Sequence, residues 1–112
     1  MRERLLLLVV AAAAACAAAP PRSEHVLTGT ARTAAWQGEV KVLIEGAPVE
    51  GKYEEVAIVS ATGGGTNASL PAVIGALQDE ARKLGCNAVI RVRYDRGSLS
   101  NATATGVAVW MN

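Results

Sequence analysis

Aromatic residues, cysteines and an excess of one charge are all scarce in this chain. Its 112 residues include no phenylalanine, two tryptophans, two tyrosines, two cysteines and one histidine. A core without phenylalanine must be built mainly from valine, isoleucine, leucine and alanine. One histidine and two cysteines cannot supply the four ligands of a zinc site within one chain. The formal net charge of +1, with both signs interspersed, gives no strong electrostatic attraction for nucleic acid.

Hydrophobic residues, by contrast, make up 51% of the chain, and many of them lie in one N-terminal run. Residues 5–19 are almost entirely leucine, valine and alanine, and they follow Arg2 and Arg4. A short cationic start, an apolar run and then small residues are typical of a secretory signal peptide. The run is too short for a bilayer-spanning helix. We therefore predict a signal peptide over residues 1–15 and an exported protein.

Cys16 follows a run of alanines, and this context resembles the lipobox of bacterial lipoproteins. In that family the cysteine after the cut is diacylated and becomes the new N-terminus. The resemblance implies a lipid anchor at Cys16 and an outer-membrane lipoprotein that faces the periplasm. Ala13 stands where the family prefers leucine, so an ordinary cleaved signal and a soluble periplasmic protein are the alternative. A cut after Ala19 would leave Pro20 where signal peptidase tolerates proline poorly, which favours lipidation.

The next segment, residues 16–35, contains Pro20, Pro21, Gly29 and many small residues, a composition typical of a flexible linker. We predict that it tethers a folded domain to the membrane, with a short strand over residues 26–32 as the alternative for part of it. The folded domain then spans residues 36–112. It keeps a single thiol, Cys86, so no disulfide can form within it.

The clearest local pattern is a helix followed at once by a strand. Apolar residues recur three and four positions apart over residues 70–84, which places them on one face of a helix. Ser69 is a suitable N-cap, and Gly85 can adopt the left-handed conformation that ends a helix. The period then changes to two, which predicts a strand with one buried and one mostly solvated face. The expected buried set is Ala88, Ile90, Val92 and Tyr94, and the solvated set is Val89, Arg91, Arg93 and Asp95.

Three further strands complete the predicted domain, over residues 40–44, 54–61 and 103–111, and the glycine-rich residues 62–67 are predicted as a loop. The second and third strands should run parallel, and the first and last should join by antiparallel hairpins. The predicted fold is α+β with two layers: a mixed four-stranded sheet, in the order β-β-α-β-β, and one helix packed on one face. An uncovered second face tends to find a partner.

Three segments resemble a family of small bacterial envelope proteins: residues 53–61 (YEEVAIVSA), 77–90 (LQDEARKLGCNAVI) and 106–109 (GVAV). The set includes the outer-membrane lipoprotein that senses stress for the Rcs phosphorelay, and the YbjQ-like proteins labelled as heavy-metal binders. The resemblance implies the same fold and, for the YbjQ-like proteins, a tendency to assemble into rings. The Rcs sensor relies on disulfides in its domain, whereas this domain has one cysteine.

No group of residues forms a catalytic constellation, so we predict that the protein is not an enzyme and uses no metal or other cofactor. Cys86 would need a base to act as a nucleophile, and the only histidine, His25, lies in the predicted tether. We therefore expect a buried structural thiol at this position. The glycines at 63–65 precede a helix N-terminus, where an anion can bind, but the phosphate-binding lysine is missing.

Arg91 and Arg93 belong to the expected solvated set of their strand, and Arg96 lies in the turn that is predicted to follow it. A solvated strand face is the simplest interpretation, and contact with a protein partner or with anionic lipid is the functional one. Our hypothesis is a non-enzymatic envelope lipoprotein whose periplasmic domain uses these arginines to bind an envelope protein, or itself, in a role such as stress sensing. The alternative is a homo-oligomer of the YbjQ-like type that binds a small ligand or metal. Metal content and subunit number would distinguish the two.

Overall fold

The computed structural model describes residues 20–98 and 100–112. Its strands are β1 (Arg22–Leu27), β2 (Lys41–Ile44), β3 (Tyr53–Gly64), β4 (Ala88–Ser98) and β5 (Asn101–Met111). A 3₁₀ turn (Gly65–Asn67) and helix α1 (Leu70–Lys83) lie between β3 and β4. The prediction of an α+β domain with a mixed sheet and one helix on it is confirmed for this part of the chain. The predicted signal peptide over residues 1–15 and the lipidation site Cys16 lie outside the described residues.

Over residues 20–98 and 100–112 the sheet has five strands, in the order β1-β3-β5-β4-β2, so the prediction of four strands is wrong. The additional strand, β1, lies within residues 16–35, the predicted tether. It pairs antiparallel with the second half of β3, from Arg22 opposite Thr62 to Leu27 opposite Ala57. β3 itself continues through Gly64 into the predicted glycine-rich loop. This extension gives β3 a longer free edge, and the backbone hydrogen bonds available there hold β1 in the sheet despite its polar composition.

The pairing of β2 also differs from the prediction. A hairpin with the next strand is expected, yet β2 pairs in parallel with β4, at the opposite edge of the sheet from β1. The connection over residues 45–52 therefore has to cross the sheet to reach β3. β3 and β4 run in the same direction, as predicted, but β5 lies between them and pairs antiparallel with both. The predicted antiparallel hairpin of the last two strands is confirmed.

Helix α1 begins and ends where its sequence predicts. The Ser69 hydroxyl accepts a hydrogen bond from the Ala72 amide at 3.4 Å, which satisfies one of the free N–H groups of the first turn. At the other end Gly85 has φ +79°, the left-handed conformation that favours glycine. Cys86 N–H then donates to Ala81 O at 2.9 Å and closes the last turn.

The segment between β1 and β2 wraps the C-terminal end of α1. Arg32 N–H donates to Leu84 O at 3.1 Å, and Trp36 N–H donates to Arg82 O at 2.9 Å. These bonds satisfy carbonyl groups that a helix leaves open at its end. The Arg32 guanidinium also lies 4.0 Å from the ring centroid of Trp110. The residues from Arg22 to Trp36 that the structure describes are thus built into the domain.

The main core lies between α1 and the sheet. Val73, Leu77 and Ala81 of the helix are fully buried in one cluster with the facing residues of β3, β4 and β5. β5 presents only small residues to this cluster, at Ala102, Ala104, Gly106 and Ala108. The buried residues of this core are therefore alanine, valine, leucine and Cys86, as the composition predicts, and Trp36 packs against its edge.

Replacing Gly85 with valine should lower the free energy of unfolding by about 1 kcal/mol or more. The new residue would have to hold a left-handed backbone, and its Cβ would lie 2.5 Å from Arg32 Cβ and 2.6 Å from Ala34 O. Urea denaturation followed by circular dichroism measures this loss.

Gly75→Ala is the matched control, because Gly75 lies within α1 and the added Cβ would have no atom within 4 Å apart from its chain neighbours and the backbone of its own helix. Alanine has the higher helix propensity, so this variant should gain about 0.5–1 kcal/mol. A Gly85→Val protein as stable as the wild type would contradict the assigned helix end.

Candidate functional site

The sheet has a second face, turned away from α1, which we call the far face. One half of it is covered by the connection over residues 45–52. Ala88, Ile90 and Val109 are fully buried there, although no helix among the described residues packs on them. Partly buried side chains from β2, the connection, β3 and β5 close over them, namely Leu43, Val49, Tyr53, Val107 and Met111. The sequence predicts a second sheet face without a covering layer, and in the structure one half of this far face is covered.

The other half of the far face, which we call the open half, lies toward the β4–β5 hairpin. Directly opposed residues of paired strands share a face, so the strand registers arrange its side chains in rows across β1, β3, β5 and β4. An apolar row forms the border, with Val107 and Ile90 in the covered half and Val26 and Ile58 in the open half. Two polar rows follow it within the open half. The rows are Val26–Ile58–Val107–Ile90, then Glu24–Ser60–Thr105–Arg93, then Arg22–Thr62–Thr103–Asp95. Val26 and Ile58 are 66% and 49% exposed, respectively.

The predicted alternation of β4 breaks at Arg91. The register of β4 against β5 shifts between Ile90 and Arg93, and Arg91 takes φ +53°. A bulge of this kind turns every later side chain to the opposite face. Val92 consequently packs into the helix-side core, while Arg93 lies opposite Thr105 on the open half. The prediction that Ile90 and Val92 share one face is therefore wrong.

Two further residues of β4 differ from the prediction. Val89, expected on the solvated face, is fully buried in the helix-side core. Tyr94, expected on the buried face, is 38% exposed. Both faces of β4 are covered where it begins, by α1 on one side and by the connection over residues 45–52 on the other. A strand covered on both faces cannot be divided into buried and solvated sets by its period alone.

The three predicted partner-binding arginines do not form a cationic patch. Arg91 Nη1 donates to Glu55 Oε1 at 3.3 Å, and Arg93 Nε lies 3.0 Å from Glu45 Oε2 in an ion pair. Arg96 is exposed and has no ion pair within the described residues. Two of the three positive charges are thus balanced by carboxylates of other segments, and only Arg93 belongs to the open half.

Sequence reasoning missed a buried carboxylate between α1 and β1. Glu80 is 5% exposed, and the Ser23 hydroxyl donates to its Oε1 at 3.2 Å. His25 Nδ1 lies 3.6 Å from Glu80 Oε2. The Ser23 hydroxyl and the His25 imidazole both face the Glu80 carboxylate. His25 is therefore not placed to take a proton from Ser23, as a catalytic base would. The helical period could have revealed this group, because Glu80 follows Val73 and Leu77 on the buried face.

Cys86 is fully buried, as expected. Burial raises the pKa of its thiol to about 11, and the nearby Arg32 guanidinium lowers it only in part. The thiol is therefore protonated at neutral pH, which disfavours its use as a nucleophile. No group of three or more histidine, cysteine or acidic residues within 20–98 and 100–112 could hold a metal ion.

The glycine-rich segment before α1 is regular structure. Gly63 and Gly64 pair with β5 as the end of β3, and Gly65 N–H donates to Ser100 O at 2.9 Å. The amide of Gly65 is thus engaged within the chain, and the prediction of a loop is wrong for these residues.

Across the described segments, no helix has the length and apolar character needed to cross a membrane.

The folded protein should lose stability as the pH rises from about 9 to about 11. Burial raises the pKa of Cys86 from its ordinary 9.0 to about 11, so the unfolded chain releases this proton first and ionisation favours unfolding. The stabilisation that the protonated thiol contributes is present in full below about pH 9. A difference of about two pKa units between the folded and the unfolded chain corresponds to about 2 to 3 kcal/mol of unfolding free energy.

Cys86→Ala should remove this component and leave the titration of other groups unchanged. Urea denaturation of both proteins at about pH 8 and about pH 11 measures the difference between their stability losses. An identical loss in the two proteins would contradict a buried, protonated thiol.

Comparison of the chain with protein-family models, with curated proteins and with solved structures gave no match. The resemblance to the Rcs sensor and to the YbjQ-like proteins therefore stays a prediction. The geometry of the described residues has to carry the functional conclusion.

Proposed function

We propose that this protein is a non-enzymatic lipoprotein of the bacterial cell envelope, held to the membrane through Cys16. Its α+β domain acts as an interaction module on the periplasmic side. The binding surface is the open half of the far face, and the partner is a protein of the envelope or a second copy. Because the proposed protein joins a membrane anchor to a binding domain, we propose that it reports the state of the envelope.

The observation that carries this proposal is the open half itself. A sheet face is ordinarily covered by a second layer, and here the connection over residues 45–52 covers only the half near Ala88 and Val109. Beyond it, Val26 and Ile58 are 66% and 49% exposed beside rows of hydroxyl and charged side chains. An apolar strip rimmed by polar groups is the composition of a protein interface.

The charges of this surface favour a protein over an anionic lipid headgroup. Arg22 and Arg93 are accompanied in the same two rows by Glu24 and Asp95, and Arg93 is already paired with Glu45. A lipid-binding patch needs an excess of positive charge, because its attraction is summed over the lysine and arginine residues near the surface. A surface with equal numbers of positive and negative side chains instead fits a partner protein whose surface carries charges of both signs.

A photoreactive amino acid at Thr62 should capture the partner in living cells. Thr62 is exposed in the middle of the open half, opposite Arg22 on one side and Thr103 on the other. The control carries the same amino acid at Lys83, which is exposed on the helix side. Crosslinks from Thr62 that are absent from Lys83 support the proposal, and equal capture from both positions would count against it.

Replacement of Cys16 with serine should move the protein from the membrane fraction to the soluble fraction, because serine cannot carry the thioether-linked lipid. Cys86→Ala is the matched control, since this cysteine is buried in the domain and should leave membrane attachment unchanged. Cell fractionation followed by immunoblotting gives the distribution. Undiminished membrane association of Cys16→Ser would remove the anchor from the proposal.

A further inference from the structure

We infer that the open half binds the open half of a second copy of this chain, face to face and about a two-fold axis. This inference deepens the proposed function and rests on its use of the open half as the binding surface. It names the partner from the pattern of charges and hydroxyl groups: the partner is the same surface of a second copy, related by a half-turn.

The four charges of the open half alternate in sign. On β1, Arg22 stands in one polar row and Glu24 in the next. On β4, the order is reversed, because Asp95 shares the row of Arg22 and Arg93 shares the row of Glu24. Since β1 and β4 are three strand spacings apart, the two pairs lie about 14 Å from each other, on either side of β3 and β5.

A half-turn about an axis that runs across the strands, between the two polar rows, exchanges these rows. Arg22 of one copy then faces Glu24 of the other, and Arg93 faces Asp95. Each contact occurs twice, as in any two-fold interface, so the dimer contains four pairs of opposite charge. A half-turn about an axis along the strands would also pair opposite signs, but it would bring the two covering connections (residues 45–52) into each other.

The charges are free to make these contacts. Arg22, Glu24 and Asp95 are exposed and have no ion-pair partner in the part of the chain that the structure describes. Arg93 is paired with Glu45, but both side chains are mostly exposed, at 74% and 61%. Arg93 can therefore accept a second carboxylate without uncovering a buried one.

The residues between the charges are also self-complementary. Ser60, Thr62, Thr103 and Thr105 fill the two polar rows on β3 and β5. Each hydroxyl both donates and accepts hydrogen bonds, so a hydroxyl surface can meet its own copy without leaving an unpaired donor or acceptor. Two sheets that pack face to face lie about 10 Å apart, so the long charged side chains span the gap directly and the shorter hydroxyl groups meet through bridging water.

The small size of the surface is typical of a weak interface. The open half measures about 20 Å along and across the strands, and such a patch buries less than about 1,200 Å² in total. We therefore expect a weak dimer in rapid exchange, formed at high protein concentration and at low salt. Because its ion pairs are exposed, about 0.5 M salt should weaken it.

The test uses the protein expressed from its full-length sequence and purified in the form that the cells produce. Sedimentation velocity over a range of concentrations at low salt should show a monomer–dimer equilibrium for the wild type. Arg22→Glu alone and Glu24→Arg alone should each weaken this dimer about tenfold or more, because each change places like charges opposite each other twice. Glu50→Arg makes the same change at an exposed position outside the open half and should leave the dimer unchanged.

An equimolar mixture of Arg22→Glu and Glu24→Arg should restore the dimer. In a mixed pair the new carboxylate at position 22 of the first variant would face the new guanidinium at position 24 of the second. The unaltered Glu24 of the first variant would likewise face the unaltered Arg22 of the second. Both positions are exposed, so a failure to fold does not explain the loss in each single variant. The axis along the strands predicts no such rescue, because the variant side chains would then face unaltered Asp95 and Arg93.

A monomeric wild-type protein at high concentration, single variants that associate as the wild type does, or a mixture without rescue would each overturn the inference. None of these results bears on the capture of an envelope protein from Thr62. Capture of such a protein by a chain that does not self-associate would leave the proposed function standing and remove only the second copy as its partner.

Discussion

The whole domain depends on the close approach of α1 to the central strand of the sheet. β5 lies between β3 and β4, and over residues 102–108 it presents only alanine and glycine toward the helix. At Gly106 the approach of the neighbouring strand is so close that a Cβ would lie 2.6 Å from Val89 Cγ1 and 3.1 Å from Ile90 O. Small residues on the central strand let Leu77 and Val73 reach full burial between neighbouring strands, so a chain without phenylalanine still closes a core.

The same strand separates the two faces chemically. Between Thr103 and Val109, every residue of β5 that points away from α1 is β-branched, namely Thr103, Thr105, Val107 and Val109. Their side chains have few accessible rotamers, so little conformational entropy is lost when a second surface covers them. The helix side of β5 supplies stability, while its far side supplies a stiff surface. A substitution on one side need not disturb the other, which is what an interaction module built on a small sheet requires.

Local features of this fold could be predicted from sequence, and non-local pairings could not. The cap at Ser69, the period of α1 and the left-handed Gly85 all follow from residues within a few positions of one another. β1 has no such local signature, because RSEHVL neither alternates nor avoids polar residues. It becomes a strand through the free edge of β3, and Glu80 becomes a buried hydrogen-bond acceptor only once Ser23 is placed beside it. The composition of residues 16–35 resembles that of a flexible tether because it reflects only local preferences. It carries no information about the pairing of β1 with β3.

The charges of the open half could not be predicted from the sequence either, because their position depends on one residue of β4, Arg91. Strict alternation from Ile90 would turn Arg93 and Asp95 toward the helix side, where charged groups are costly to bury. The bulge at Arg91 turns them out again, at the expense of a left-handed backbone that non-glycine residues seldom adopt. Glu55 and the Tyr53 hydroxyl, both from β3, bind the Arg91 guanidinium and hold it across the far face. The bulge thus places Arg93 and Asp95 beside the threonines, and without it the alternating charges of the open half would not exist.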